Sequence, residues 1–244
     1  MNIVSFSGGK DSTAMLLMML EKGLTVDRVI CVDTTKEFPQ MYEHIKKVQA
    51  IIEPLKIEIV KIDFDYWFGE HVKPSGKYAG NSGYGWPDFR VRWCTGLKNQ
   101  AISKLLSNEP YNPRIEGYSK IKSLSRIVEF QGIAFDEQDR LHKNKANKRK
   151  TISRYPLVEW QITEKQALEY CYSRGLDWGG LYEKFHRVSC WCCPLSRIGE
   201  LRVLHNEFPE LWEELKEMDK KSFRKFRGDY SVKDLSEKFA NENL

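Results

Sequence analysis

The first 62 residues alternate between short β-rich runs and helix-length segments, and that alternation constrains the fold more than any other feature of the chain. Residues 2–6, 26–33 and 57–62 read as strands, with helices at 12–21 and 40–52, the second stopped by Pro54. Strands separated by a helix pair in parallel through right-handed crossovers, which leaves ligand sites at the carboxyl ends of the strands. The expected class is therefore α/β, a doubly wound and mainly parallel sheet. Any motif that carries chemistry should lie just after a strand.

Composition agrees with a folded protein of this size. Of 244 residues, 41% are hydrophobic and 30% charged, enough to bury a sizeable core. The longest apolar run, residues 14–20, is far shorter than the ~20 residues that cross a bilayer, so no membrane partner is expected. The N-terminus passes straight into the first strand without a basic segment and apolar core, so the expected compartment is the cytoplasm. There the six cysteines stay mostly reduced, and clustered ones point to metal or redox chemistry rather than a disulfide frame. A net charge of +5 suits an anionic ligand without establishing a nucleic-acid partner.

Further along, residues 68–92 form an irregular stretch rich in Gly, Tyr, Trp and Pro, long enough to be a lid or binding loop. A helix is expected at 96–106 and β-like runs at 114–118 and 127–135. Residues 140–154 hold seven Lys/Arg and no acid, which reads first as a solvated loop and second as an electrostatic contact for nucleic acid. Beyond residue 155 the pattern turns helical. Thr163-x-x-Gln166 is a capping box opening a helix to Ser173, Gly175 stops it, and helices follow at 196–205 and 209–221. The expected division is a nucleotide-binding α/β domain over 1–155 and a helical part over 156–244 that carries a Cys-x-x-Cys cluster.

Ser7-Gly8-Gly9-Lys10-Asp11-Ser12 joins the first strand to an apolar helix. The N–H groups of such a turn and of the helix start converge on one point and favour an anion. Two glycines let phosphate approach the main chain, Lys10 adds charge and Ser12 a hydroxyl. It is not a G-x-x-x-x-G-K-[ST] loop, because the first glycine lies too close to Lys10. An ordinary glycine turn whose helix is capped by Asp11 or Ser12 is the competing reading.

Four ordered segments carry a resemblance. They are the motif at residues 7–12; Val32-Asp33-Thr34-Thr35-Lys36-Glu37-Phe38-Pro39 after the second strand; Arg92-Trp93-Cys94-Thr95 with Lys98; and Cys190-x-x-Cys193-Pro194 preceded by Leu181-Tyr182. Together they resemble the phosphoadenosine phosphosulfate reductase family of the PP-loop ATP pyrophosphatases, the adenine nucleotide alpha hydrolase-like superfamily. The resemblance implies binding of an adenine nucleotide and cleavage of ATP between its α and β phosphates with Mg2+. It implies that Ser7, Gly8, Gly9, Lys10, Asp11 and Ser12 cradle phosphate, that Asp33 meets the adenosine half, and that Lys10, Arg92 and Lys98 neutralise the leaving pyrophosphate. Residues 132–140 are similar to the family's Gly-x-Arg-x-x-Glu-Ser region, which implies site roles for Gly132, Glu137 and Arg140. Ala134 and Gln138 depart from that pattern. A turn aspartate at position 33, and surface solvation of Arg92, Lys98, Glu137 and Arg140, are the competing readings.

Cys190-Trp191-Cys192-Cys193-Pro194 contains the C-x-x-C spacing that lets two thiolates reach one metal or iron-sulfur cluster, with Cys94 as a third ligand. Zinc is the alternative to iron, and Cys192 or His186 are candidates for a fourth position. Cys31 and Cys171 read as core thiols. Reductases of the family attack with a cysteine on a C-terminal tail, whereas here no cysteine follows residue 193; cluster-bearing reductases also pair the first ligand with a second cysteine, and Cys94 stands alone. The expected reaction is therefore ATP-dependent adenylation of an acceptor for sulfur transfer. The resemblance to thiolating relatives implies a nucleic-acid acceptor, DNA or tRNA, and a cysteine desulfurase as sulfur donor. Reduction of a sulfonucleotide to sulfite and a non-catalytic nucleotide-binding module are the alternatives.

Overall fold

The computed structural model describes residues 1–75, 79–107, 127–141 and 151–242. Five strands form one sheet: β1 (Asn2–Ser5), β2 (Arg28–Asp33), β3 (Ile57–Lys61), β4 (Ile127–Gln131) and β5 (Thr151–Arg154), in the order β3-β2-β1-β4-β5. β1 pairs in parallel with β2 and with β4, and β4 in parallel with β5. The chain is an α/β protein with a parallel sheet, as the alternation required. The order reverses between β1 and β4, and at such a switch point the loops leaving neighbouring strands part and open a crevice. Ser5 lies beside Gln131 in the register, so the loops after these two strands start side by side.

The chain packs as two compact units that interleave along the sequence. The first comprises residues 1–32, 39–60 and 100–179, the second 33–38, 61–99 and 180–244. In the first unit, α1 (Lys10–Glu21) and α2 (Pro39–Ile51) are the crossovers after β1 and β2. α1 buries Ala14, Met15, Leu16, Leu17 and Met19, and a helix apolar nearly all round belongs in an interior. Each of the Met and Leu side chains contributes about 1.5–3 kcal/mol by leaving water. On the sheet, Ile3, Ile30 and Ile127 pack together with Val60, Ile102, Leu105 and Leu106, the last three from α3 (Trp93–Ser107). α4 (Pro156–Glu159) and α5 (Glu164–Tyr172) pack against α1, and α5 starts with the expected Thr163/Gln166 capping box.

The second unit has an aromatic core. Phe38, Phe185 and Phe208 cluster with ring centroids 5.0–5.9 Å apart, and Trp86 meets Phe226 edge to face at 4.9 Å. Its indoles find acceptors, Trp86 on Asp219 at 2.7 Å and Trp93 on the Gly85 carbonyl at 2.9 Å, as buried indoles require. Short α6 (Leu181–Lys184) precedes the cysteine element; α7 (Ile198–Glu207), α8 (Pro209–Lys221) and α9 (Val232–Glu242) follow it.

Three expectations need correction. The strand expected at 127–135 ends at Gln131, and Phe135–Arg140 is a 3-10 helix. The polar stretch read as a loop to residue 154 supplies β5 at its end, where Thr151, Ile152 and Ser153 pair with Ile127, Val128 and Glu129. α9 had no counterpart in the sequence reading. The β-like run at 114–118 and the basic residues 142–150 lie outside the described residues. No helix among the described residues is long and apolar enough to cross a membrane.

Candidate functional site

In the first unit, residues 7–9 turn out of β1 into α1. The N-cap of α1 is Gly9, with extended backbone and no side-chain cap. Asp11 and Ser12, the two residues able to cap an ordinary helix here, are already inside it. The cap residue therefore offers the first turn no side-chain acceptor, which suits a helix start that takes an anion. The loop is braced from within: Ser12 Oγ donates to the Gly9 carbonyl at 3.0 Å and accepts from the Ser7 N–H at 3.2 Å.

Gly8 takes φ +76°, in the left-handed region where glycine is favoured. Behind it stands Trp178, whose indole N–H donates to the Gly8 carbonyl at 2.7 Å in a buried contact. The Trp178 ring stacks on His44 at 4.1 Å, and His44 Nε2 meets Thr13 Oγ1 at 3.0 Å. Burial lowers the His44 pKa to about 3, so the ring is neutral. Trp178 itself has φ +52°, a conformation costing about 1–3 kcal/mol for a bulky residue, which the indole bond and the stack hold in place.

Beside the loop, Asp11, Glu137 and Glu164 bring carboxylate oxygens within 4.8 Å of one another. Burial raises the Asp11 pKa to about 6, Lys10 opposing and Glu164 and Glu137 adding to the shift. Lys10 Nζ lies 2.5 Å from Glu164 and 3.3 Å from Asp11 and is almost fully buried. Its charge is thus engaged by carboxylates. Glu137 also pairs with the exposed Arg140. Hard oxygen donors in this number suit Mg2+. At Gly132, just after β4, a Cβ would stand 2.6 Å from the Ser12 nitrogen, so only glycine lets β4 end this close to α1.

The second unit holds the thiols. Segment 33–38 carries them on one side: Thr34 Oγ1 lies 3.1 Å from Cys190 Sγ, Glu37 Oε1 3.5 Å from it, and the Trp191 N–H donates to the Lys36 carbonyl at 3.0 Å. Asp33 is buried and accepts from the Thr35 N–H at 2.7 Å, a turn-forming bond at the end of β2. Lys98 Nζ meets Glu37 at 3.3 Å. Burial works against its charge, but Cys190, Glu37 and Cys94 hold the ammonium above the ordinary lysine range. Burial and Glu37 push the Cys190 thiol up, with Lys98 and Thr34 opposing. Burial likewise raises Cys193, whose electrostatic neighbours are Cys94, Arg92 and Lys98. Cys94, Cys190 and Cys193 thus share one environment with two cations. Cys192 is buried, and Cys31 and Cys171 are core thiols as expected, burial raising Cys171 to about 12.

The profile of the phosphoadenosine phosphosulfate reductase domain matches residues 1–196, four-fifths of the chain and every residue of the two groups just described. The chain belongs to the phosphoadenosine phosphosulfate reductase domain family. An uncharacterized protein of Methanocaldococcus jannaschii is 30% identical over 216 residues, covering 86% of this chain and 40% of that protein. The chain therefore spans less than half the length of that relative. The U34-tRNA thiolase NcsA from Methanococcus maripaludis, solved with its [4Fe-4S] cluster, aligns over 99% of this chain and 70% of its own at 12% identity and a TM-score of 0.44.

For this member of the phosphoadenosine phosphosulfate reductase family, sequence reasoning did not single out Glu164, Trp178, His44, Thr34 or Glu37 as site residues. Glu164 follows the Thr163 cap, where an acid is ordinary helix chemistry. Thr34 and Glu37 lie inside the quoted segment after β2, yet nothing in their spacing points to Cys190, more than 150 residues away.

Proposed function

We propose that this protein is a PP-loop ATP pyrophosphatase that adenylates an acceptor, releasing pyrophosphate, and prepares it for sulfur transfer. The observation that carries this reading is the α1 start, a glycine cap with no side-chain cap bond at the switch point of a parallel sheet. In the first unit Ser7, Gly8, Gly9, Asp11 and Ser12 take the phosphates beside Gly132, and Lys10 and Arg140 supply positive charge. Asp11, Glu137 and Glu164 hold Mg2+, which when bound spreads the charge of the departing pyrophosphate. An acceptor oxygen attacks the α phosphorus in line, and a sulfur nucleophile then displaces AMP. Residues 1–155 with Glu164 serve the nucleotide, and the rest of 156–244 brings the Cys-x-x-Cys element.

Cys94, Cys190 and Cys193 are the proposed ligands of an iron-sulfur cluster, which when bound supplies an iron able to carry sulfide. Zinc is the alternative to iron, since soft thiolate ligands suit either. The acceptor proposed is nucleic acid, DNA or tRNA, and the donor a cysteine desulfurase in the cytoplasm.

The test is incubation with ATP, Mg2+ and candidate acceptors, followed by separation of AMP from ADP. AMP with pyrophosphate is the expected outcome, lost in Gly9→Asp, whose carboxylate would occupy the anion's place. ADP would overturn the α-phosphate assignment. The family match also favours sulfonucleotide reduction as a second reading, which sulfite release from phosphoadenosine phosphosulfate with a dithiol would support.

A further inference from the structure

The second unit contains a cavity of about 720 Å³ that the reading above does not use. Its walls are residues 86–90 and 223–229, and its floor is Pro194 and Leu195, the two residues that directly follow Cys193. The frame is rigid. Buried Trp86 and Phe226 back the walls, and Arg227 donates to the carbonyls of Pro194 and Ser196, both at 2.8 Å, tying wall to floor.

What faces the opening is different in kind. Phe89 is 77% exposed and Phe223 42%, and both line the one cavity. Four cationic and two anionic side chains line it, and both carboxylates are committed: Asp88 to Arg224, and Asp229 to Arg227 at 3.1 Å. Arg90 is exposed and has no ion pair among the described residues, while Lys225 lies 3.6 Å from Asp234 and donates to the Asp229 carbonyl at 3.4 Å. Exposed rings beside the exposed Arg90 guanidinium match a base that stacks and a phosphate that pairs. The volume suits one nucleotide, and a cavity this size does not admit a paired duplex.

We infer that this cavity is the acceptor subsite and takes one unpaired nucleotide of a single-stranded nucleic acid, its base on Phe89 and Phe223 and its backbone on Arg90 and Lys225. The inference rests on the acceptor-modifying reading above and names the acceptor's class and place. The adjacency of the floor to Cys193 sets the bound nucleotide near the thiol element.

The experiment is fluorescence anisotropy of the full chain with labelled single-stranded RNA and DNA oligonucleotides, the matching duplexes, and AMP, UMP and CMP as competitors, at 50 and 200 mM salt. Single strands should bind tighter than duplexes. Phe89→Ala should weaken binding about tenfold, and Arg90→Ala should lower the salt slope by about one. Circular dichroism melting should leave both surface variants folded. Equal affinity for duplex, or oligonucleotide binding unchanged in both variants, would overturn the proposal. Full displacement by a mononucleotide at equal affinity would make this a small-nucleotide site and overturn the strand. ATP binding measured in parallel separates the two readings: Gly9→Asp should abolish it and leave oligonucleotide affinity intact, whereas failure of this inference leaves ATP affinity untouched.

Discussion

At Gly132 a Cβ would stand 2.6 Å from the Ser12 nitrogen and 2.7 Å from its Cα, both main-chain atoms inside a helix. Gly132→Ala should therefore push β4 and α1 apart, costing about 2 kcal/mol or more in urea unfolding and weakening ATP binding together. His44 makes a separate prediction. Its pKa of about 3, lowered by burial, lies below the ordinary 6.5, so between those values the unfolded chain takes up a proton that the folded chain refuses. Stability is unaffected by this group above pH 6.5 and falls as pH drops toward 3, by up to about 1.4 kcal/mol per pH unit. Comparing urea midpoints at pH 7.5 and 5 for the native chain and His44→Phe isolates that share; equal pH dependence in the two would refute it. Neither role was legible beforehand. Gly132 was noted as a likeness to a family motif, and a lone histidine on a helix gives no sign of what stacks on it.

Element boundaries show where local chemistry decides and where it does not. β1, α1, β2, α2 and β3 form where alternation placed them, because each is a self-consistent run of one period bounded by Gly or Pro. β5 was hidden since its four residues follow a basic stretch, and pairing with β4, not composition, makes them a strand. The start of α1 was legible as a phosphate loop, but the choice of Gly9 as cap was not, because Asp11 and Ser12 are both good caps. The segment after α5 contributes what no local pattern reveals, a prop under Gly8. Trp178→Phe keeps the ring on His44 and removes the 2.7 Å bond, leaving a buried carbonyl without its donor. A loss of about 1–3 kcal/mol is expected, with ATP binding weakened several-fold. Retention of full nucleotide affinity by calorimetry would show that the prop does not shape the loop.

On the scale of the molecule, family membership was readable from four ordered motifs and the parallel sheet from strand–helix alternation, while the partnership between residues 33–38 and the cysteine element was not. Cys190→Ser combined with Cys193→Ser should reduce iron and acid-labile sulfide in anaerobically purified protein by more than half with little change in helicity. Cys171→Ala, a core thiol, should retain them. Equal metal content in both would remove the cluster assignment. The interleaving of the two units has its own consequence. The chain crosses from one to the other after residues 32, 38, 60, 99 and 179. A fragment ending at residue 155 would lose α5 and Trp178, which belong with the first strand, so neither half can be shuffled between genes as a free-standing cassette. Inheritance of this architecture has to be whole, and domain-grafting experiments should respect all five seams.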